Sequence, residues 1–106
     1  MSRYMRLIVF FDLPVMTSRD RREYTRFRKF LLKDGYTMMQ YSVYSRICNG
    51  QDNVQKHVRR LKANIPSVEG SIRSIAITEK QYEKMEVLLG TKTAEEELGV
   101  NKVDFF

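Results

Sequence analysis

The chain has 106 residues, enough for one hydrophobic core and too few for two. With 42% hydrophobic and 30% charged residues it has the composition of a folded globular domain, and no apolar stretch approaches the length needed to cross a bilayer. The net charge of +6 favours an anionic partner, nucleic acid or membrane, and the single cysteine, Cys48, excludes an internal disulfide and a multi-cysteine metal site.

The chain begins with a predicted strand and helix. Leu7–Phe11 is a continuous apolar run, which indicates a strand covered on both faces. Thr17 and Ser18 are good helix N-caps and Gly35 suits the left-handed residue after a helix, so residues 18–34 are predicted to form the first helix. Its core face carries Tyr24, Phe27 and Leu31.

Extended chain follows. Residues 36–48 are rich in β-branched and aromatic residues, and their length predicts two strands divided near residues 40–42. Asn49 and Gly50 indicate a turn, after which a second helix ends at Pro66. Its apolar face is predicted to carry Val54, Val58, Leu61 and Ile65.

The last predicted elements are a strand and a short helix. Gly70–Ile77 contains three isoleucines and indicates a strand. Thr78 with Glu79 predicts the start of a helix that runs through Leu89 and ends at Gly90. The alternating stretch 100–106 is compatible with an added edge strand. We therefore expect one domain over residues 1–106, with a core at 1–89, a tail at 90–106 and a cytoplasmic location.

The predicted order is strand, helix, strand, strand, helix, strand. It indicates an α+β, ferredoxin-like fold in which both helices pack on one face of an antiparallel sheet. Because the first strand is apolar on both sides, the other face also needs a cover. A second copy of the chain is the simplest cover, and a tail folded back over the face is the alternative.

Positive charge is concentrated in the first part of the chain. Residues 1–64 carry 14 basic and 5 acidic side chains, net +9, whereas residues 65–106 carry 5 and 8, net −3. On the first helix a basic stripe lies within about 80° of arc at 3.6 residues per turn. Its members are Arg19, Arg22, Arg26, Lys29 and Lys33.

The stripe has two explanations. The five cations do not each have a glutamate at i+4, so helix stability does not account for the stripe, whereas the phosphates of a nucleic acid would. The alternative is an ordinary solvated helix exterior. Arg21 and Arg28 broaden the basic surface, and the second helix is basic as well through Lys56, Arg59, Arg60 and Lys62. We predict phosphate contacts for Arg19, Arg21, Arg22, Arg26 and Lys29.

Asp12 is the one acid in the first nineteen residues and directly follows the first strand. A single carboxylate is a poor magnesium site, but two copies brought together in a dimer could hold Mg²⁺ and activate water against a phosphodiester. A turn-capping role is the alternative. His57 is interpreted as structural, and Cys48 as a small buried residue.

Three motifs carry a resemblance to a known family. They are Phe11-Asp12-Leu13 at the end of the first strand, Gly35-Tyr36 after the helix, and Gln40-Tyr41-Ser42-Val43-Tyr44 in the next strand. With them, residues 4–89 resemble CRISPR-associated protein two, the small subunit of the spacer-acquisition machinery. Thr78-Glu79-Lys80-Gln81 is similar to members that accompany the single-chain RNA-guided DNA-cutting effector.

The resemblance implies a ferredoxin-like homodimer placed between two dimers of the integrase, CRISPR-associated protein one. There it would brace the middle of a short double-stranded DNA before the ends are inserted into the repeat array. The family's metal-binding aspartate matches Asp12, and some members are magnesium-dependent endonucleases on RNA or DNA. Phe11 stands where many members have tyrosine. Whether this chain is an enzyme stays open from its sequence.

Overall fold

The computed structural model describes residues 3–90, which form four strands and three helices. The element order and the antiparallel sheet confirm the predicted α+β, ferredoxin-like fold. Residues 100–106, with the edge strand or fold-back suggested for them, lie outside the described residues. The elements are β1 (Tyr4–Asp12), α1 (Ser18–Lys33), β2 (Thr37–Gln40), β3 (Val43–Asn49), α2 (Gln51–Lys62), β4 (Ser71–Thr78) and α3 (Glu79–Glu83).

The sheet has the strand order β2-β3-β1-β4, and every neighbouring pair is antiparallel. β1 is therefore an inner strand, with Val9 opposite Tyr44 of β3 on one side and opposite Ser74 of β4 on the other. Side chains alternate between the two faces of a strand, so Leu7, Val9 and Phe11 share one face and Asp12 lies on the other.

The core lies between this first face and the two long helices. Phe11 packs edge-on against Phe27 of α1, with ring centroids 5.3 Å apart and an interplanar angle of 85°. Phe27 and Leu31 are fully buried, which confirms the predicted core face of α1. Each side chain of this size contributes about 1.5–3 kcal/mol when it is fully buried, so this cluster is the main attachment of α1 to the sheet.

Both ends of α1 form as the sequence predicts. Thr17 is the N-cap, and its hydroxyl accepts from the backbone N–H of Asp20 at 3.0 Å while the Asp20 carboxylate accepts from the Thr17 N–H at 3.2 Å. Gly35 follows the helix with a φ of +91°, a left-handed conformation that favours glycine.

The predicted end of the second helix is wrong. α2 ends at Lys62, before Pro66, and Ile65 lies outside the helix with 49% of its surface exposed. The side-chain amide of Asn64 donates to the carbonyl of Arg60 at 2.9 Å, which satisfies one of the last helix carbonyls and favours the earlier end. His57 takes a place on the buried face together with Val54 and Leu61.

The predicted length of the last helix is also wrong. α3 begins as expected, with a capping box between Thr78 and Gln81, but it ends at Glu83 instead of continuing to Leu89. Tyr82 is its one buried residue, whereas 96% of Leu89 is exposed. A helix is marginal when it has no surface to pack on, and here only the first turn has one.

The second sheet face is partly covered. α3 lies over it at Arg6, which is 4% exposed, and Ile8 beside it is 9% exposed. On the same face, Phe10 of β1, Ile47 of β3 and Ile75 of β4 remain 39–52% exposed. None of the helices within residues 3–90 is long and apolar enough to cross a membrane.

Candidate nucleic-acid interface

The loop between β1 and α1 is held by the first helical turns. The guanidinium of Arg21 donates to the carbonyl oxygens of Val15 and Met16, both at 3.1 Å. Arg21 is exposed, so its charge still faces solvent while it fixes the approach to the helix. The exposed N–H groups of the first turn and the helix dipole add positive potential there.

The outer surface of α1 keeps most of its cations unpaired. Arg19, Arg22 and Lys29 are exposed and form no ion pair with any residue of the described part of the chain. Arg26 differs, because its Nη2 atom lies 3.1 Å from Oε1 of Glu23. The stripe is therefore partly neutralised at Arg26, by an acid that lies three positions earlier and that the i+4 spacing did not predict for this residue.

Glu23 connects this surface to the loop after α2. Its Oε1 atom also accepts from the backbone N–H of Ser67 at 3.0 Å. The hydrogen bond from Arg26, followed by that from Ser67, lowers the pKa of the Glu23 carboxyl below its ordinary value. Glu23 is thus a fixed negative charge beside the stripe.

A shallow depression of about 570 Å³ lies along the outside of α1. Ser18 and Thr25 have short side chains there, which leave room between the longer cations. A tetrahedral anion fits such a setting, with hydroxyl donors at the base and charge around the rim. The structure brings four of the five predicted contact residues to this depression, and Arg19 is the one outside it; the four are Arg21, Arg22, Arg26 and Lys29.

Asp12 lies at the end of β1 on the sheet face away from α1 and α2, opposite Ser71 of β4. Gly70 allows β4 to begin there. Its φ is +139°, and a Cβ atom on it would lie 2.5 Å from the backbone oxygen of Asp12. A residue with a side chain would therefore displace the strand end that carries the carboxylate.

A second depression, of about 390 Å³, opens beside Asp12. Tyr41 and Arg73 are both part of its lining, and 86% of Tyr41 is exposed. Ser42, next to Tyr41, has a φ of +64°, and its carbonyl accepts from the Phe11 N–H at 3.0 Å. This bond ties the turn between β2 and β3 to the strand that ends in Asp12.

The sequence did not indicate that Tyr41 and Arg73 accompany Asp12. Arg73 reaches the depression because β4 pairs with β1 in a register that places it opposite Phe10. Tyr41 was part of a motif but had no assigned place. The rest of the lining consists of the hydroxyl-bearing Ser42 and Ser71 and the apolar Phe10, Phe11 and Val43. The register of strand pairs, which a single sequence does not specify, was the missing information.

The acidic residues of one chain do not form a metal site by themselves. Within residues 3–90 no three His, Cys, Asp or Glu side chains lie close enough together to hold a metal ion. Asp12 supplies the one carboxylate in an open depression, and Mg²⁺ is bound through one or two carboxylates with several waters. The donor set fits Mg²⁺ only if a second copy adds its own Asp12.

Two other residues have structural roles. His57 is buried, and its Nδ1 atom lies 3.0 Å from Oδ2 of Asp34, which confirms its structural interpretation. Cys48 is fully buried in β3, as predicted, and burial raises the pKa of its thiol. Neither residue lies in the two depressions.

Comparison with known proteins assigns the chain to a family. The family model described as CRISPR associated protein Cas2 matches residues 5–85. The chain belongs to the Cas2 family. The match includes Asp12 and the whole of α1, so both candidate surfaces lie within the Cas2 region.

Individual Cas2 proteins agree with this assignment. The chain is 60% identical over 86 residues to the CRISPR-associated endoribonuclease Cas2 of Acidovorax ebreus, which covers 81% of this chain and 83% of that protein. It is 46% identical over 91 residues to the protein of the same description from Ligilactobacillus salivarius, covering 86% and 89%. A crystal structure of a Cas2 protein superposes with a TM-score of 0.51 at 15% identity, over 97% of this chain and 98% of that one, and supports the fold.

Proposed function

We propose that the chain is a homodimeric scaffold of CRISPR adaptation. In this role it binds the backbone of the spacer-precursor duplex along α1 and bridges two dimers of the integrase, CRISPR-associated protein one. The observation that carries the proposal is the row of exposed, unpaired cations Arg19, Arg22 and Lys29 on the outside of α1. Strand transfer is left to the integrase.

Backbone binding of this kind is electrostatic. Cations that meet phosphates release counterions, so log K should fall with log salt by about 0.9 for each phosphate neutralised on duplex DNA. Contacts to phosphates fix position without reading sequence, which suits a scaffold that accepts many spacers. We expect one such phosphate to bind in the depression lined by Arg22 and Lys29.

The exposed apolar residues of the second sheet face support the homodimer. Phe10, Ile47 and Ile75 lie on one face of three adjacent strands, and a contiguous patch of this kind is typical of an interface. A two-fold arrangement would bury the same patch on both copies. A dimeric mass at micromolar concentration is expected, and a monomeric mass would contradict this part of the proposal.

The decisive experiment compares two double variants in a spacer-acquisition assay with the integrase. Arg19→Ala with Arg22→Ala removes two cations of the row and should abolish acquisition. Lys80→Ala with Lys84→Ala removes the same charge from α3 and its C-cap, away from the α1 surface, and should retain it. Equal loss in both variants would count against a specific role for α1.

A magnesium-dependent endonuclease is the second candidate. Asp12 in its open depression beside Arg73 favours it, and so do relatives described as endoribonucleases. Two copies of Asp12 would hold the ion, which would supply Lewis acidity toward a phosphodiester. Arg73 would attract the phosphate, and the hydroxyls of Ser42 and Ser71 would hydrogen-bond to its oxygens.

The two candidates differ in what Asp12 does. Under the scaffold proposal Asp12→Asn retains acquisition and duplex binding. Under the endonuclease proposal the same variant loses Mg²⁺-dependent cleavage of RNA or DNA substrates, and EDTA abolishes cleavage by the unmodified protein. Loss of acquisition by Asp12→Asn, with acquisition retained by the Arg19→Ala/Arg22→Ala variant, would reverse the order of the two proposals.

A further inference from the structure

A second row of cations lies on the outside of α2. Lys56 and Arg59 are three positions apart on the side of the helix opposite the buried residues Val54 and Leu61. Both are exposed, and neither forms an ion pair with a residue in the described range 3–90. The proposed function assigns no contact to Lys56 or Arg59.

Three contacts fix this row relative to α1. Asp34, just after α1, is met by two residues of α2, Arg60 at 2.8 Å and His57 at 3.0 Å. Glu23, in the first half of α1, is met by Ser67, which follows α2. Glu23 in the first half of α1 thus contacts Ser67 beyond α2, whereas Asp34 after α1 contacts Arg60 and His57 earlier in the chain than Ser67, so α1 and α2 run antiparallel.

Two acids, Asp34 and Glu23, lie in the seam between the helices, whereas Asp52 is exposed in the first turn of α2. Asp34 is 8% exposed and pairs with Arg60, while Glu23 pairs with Arg26. The cations nearest the seam are thus neutralised within the protein. Those that point outward, in particular Arg22 and Lys29 of α1 and the pair on α2, are left for an external anion. The result is two positive rows with a neutralised strip between them.

We propose that the two rows bind the two strands of one duplex, with the α1 row on one backbone and Lys56 and Arg59 on the other. The contacts of Asp34 with Arg60 and of Glu23 with Ser67 hold the two rows on neighbouring segments, and long cationic side chains extend from both. The rows can then straddle a B-form minor groove, which is about 6 Å wide. This inference rests on the proposed function and names its ligand class as double-stranded DNA.

Strandedness is the property that tests the inference. A single strand has one phosphate backbone and can satisfy one row, whereas a duplex engages both. The α2 row should therefore matter for duplex affinity and not for single-strand affinity. A general loss of positive charge would weaken the binding of the duplex and of the single strand alike.

The experiment measures fluorescence anisotropy with a labelled DNA duplex and with one of its strands over a range of salt concentrations. Lys56→Ala with Arg59→Ala is compared with Lys80→Ala with Lys84→Ala, which removes equal charge from α3 and its C-cap. We expect the α2 variant to bind the duplex at least tenfold more weakly, with the salt slope reduced by about 1.8 for two lost phosphates, and to bind the single strand as before. Unchanged duplex binding, or equal loss on both ligands, would overturn the inference.

Further variants separate this inference from the proposed function. If Arg22→Ala with Lys29→Ala leaves duplex binding intact, the scaffold proposal fails. If that variant loses binding while the α2 variant keeps it, only the two-row inference fails. Lys56→Arg with Arg59→Lys preserves both charges and should restore duplex binding. Failure of this restoration while the variant remains folded by circular dichroism would contradict an electrostatic role.

Discussion

The guanidinium of Arg6 lies 4.0 Å from the ring centroid of Tyr82, on the sheet face away from α1 and α2. Its Nη2 atom also lies 2.8 Å from Oε1 of Glu79. The buried guanidinium of Arg6 on the inner strand β1 thus contacts two side chains of the short helix α3, the Glu79 carboxylate and the Tyr82 ring. These contacts, more than the five residues of the helix itself, hold α3 in place.

Glu79→Ala should destabilise the protein by on the order of 3 kcal/mol, because the guanidinium of Arg6 stays buried without its carboxylate partner. Urea unfolding followed by circular dichroism measures the free energy of unfolding. Glu83→Ala is the matched control, since Glu83 is exposed on the same helix, and it should change that free energy by less than about 0.5 kcal/mol. Similar losses in both variants would show that α3 is not fixed through Arg6.

Glu23→Gln should tighten duplex binding. The substitution leaves an amide oxygen that can still accept from Ser67, but it removes the negative charge that neutralises Arg26. Arg26 then becomes available to a phosphate, and the salt slope should steepen by about 0.9. Titrations of the duplex at several salt concentrations give the slope. Glu69→Gln, which removes one negative charge at an exposed site, should change duplex binding less. An equal change in both variants would exclude a role for the pair of Glu23 with Arg26.

Tyr36→Phe should stabilise the protein by about 1 kcal/mol at neutral pH. The Tyr36 hydroxyl is buried and has no hydrogen-bond partner among the described residues, so its removal relieves a desolvation cost.

The same substitution should flatten the alkaline limb of the stability curve. Burial, reinforced by Asp34, raises the pKa of Tyr36 well above its ordinary value of about 10. The unfolded state therefore releases the phenol proton before the folded state does, so the stability of the unmodified protein falls as pH rises above about 10. Urea unfolding at neutral pH and above pH 10 measures both effects, and a variant less stable at neutral pH would contradict them.

Cys48 should resist thiol reagents until the sheet opens. Its side chain is fully buried and burial raises the pKa of the thiol, so little reactive thiolate forms near neutral pH. Labelling by a maleimide, followed by mass spectrometry, should be complete in denaturant and slow in native buffer. Rapid labelling of the native protein would mean that β3 is accessible.

Local signals in the sequence specify the elements better than their lengths. The Thr17 cap and Gly35 locate α1 because each acts on its own neighbours. The ends of α2 and α3 depend on interactions that the pattern of apolar residues does not show. α2 ends early where the Asn64 side-chain amide donates to the carbonyl of Arg60. α3 ends early because the residues after Tyr82 have no surface of the domain to pack against.

The candidate site divides in the same way. Helical spacing alone predicts which cations of α1 share a side, and three of the five stripe residues, Arg22, Arg26 and Lys29, line one depression together with Arg21. The surroundings of Asp12 were not predictable, since Tyr41 and Arg73 arrive from other strands. The Glu23 pair with Arg26 was missed because the spacing was judged on i+4 positions, where Glu23 follows Arg19, although i+3 pairs also meet on a helix.

The position of β1 between β3 and β4 has a consequence for how the protein is made. β1 leaves the ribosome before its partners, residues 43–49 and 71–78, so it acquires its second neighbour only after β4 has been synthesised. Contacts this distant in sequence delay folding. Until they form, a nascent chain carries an apolar strand with an open edge, and premature termination before β4 would release a product prone to aggregate.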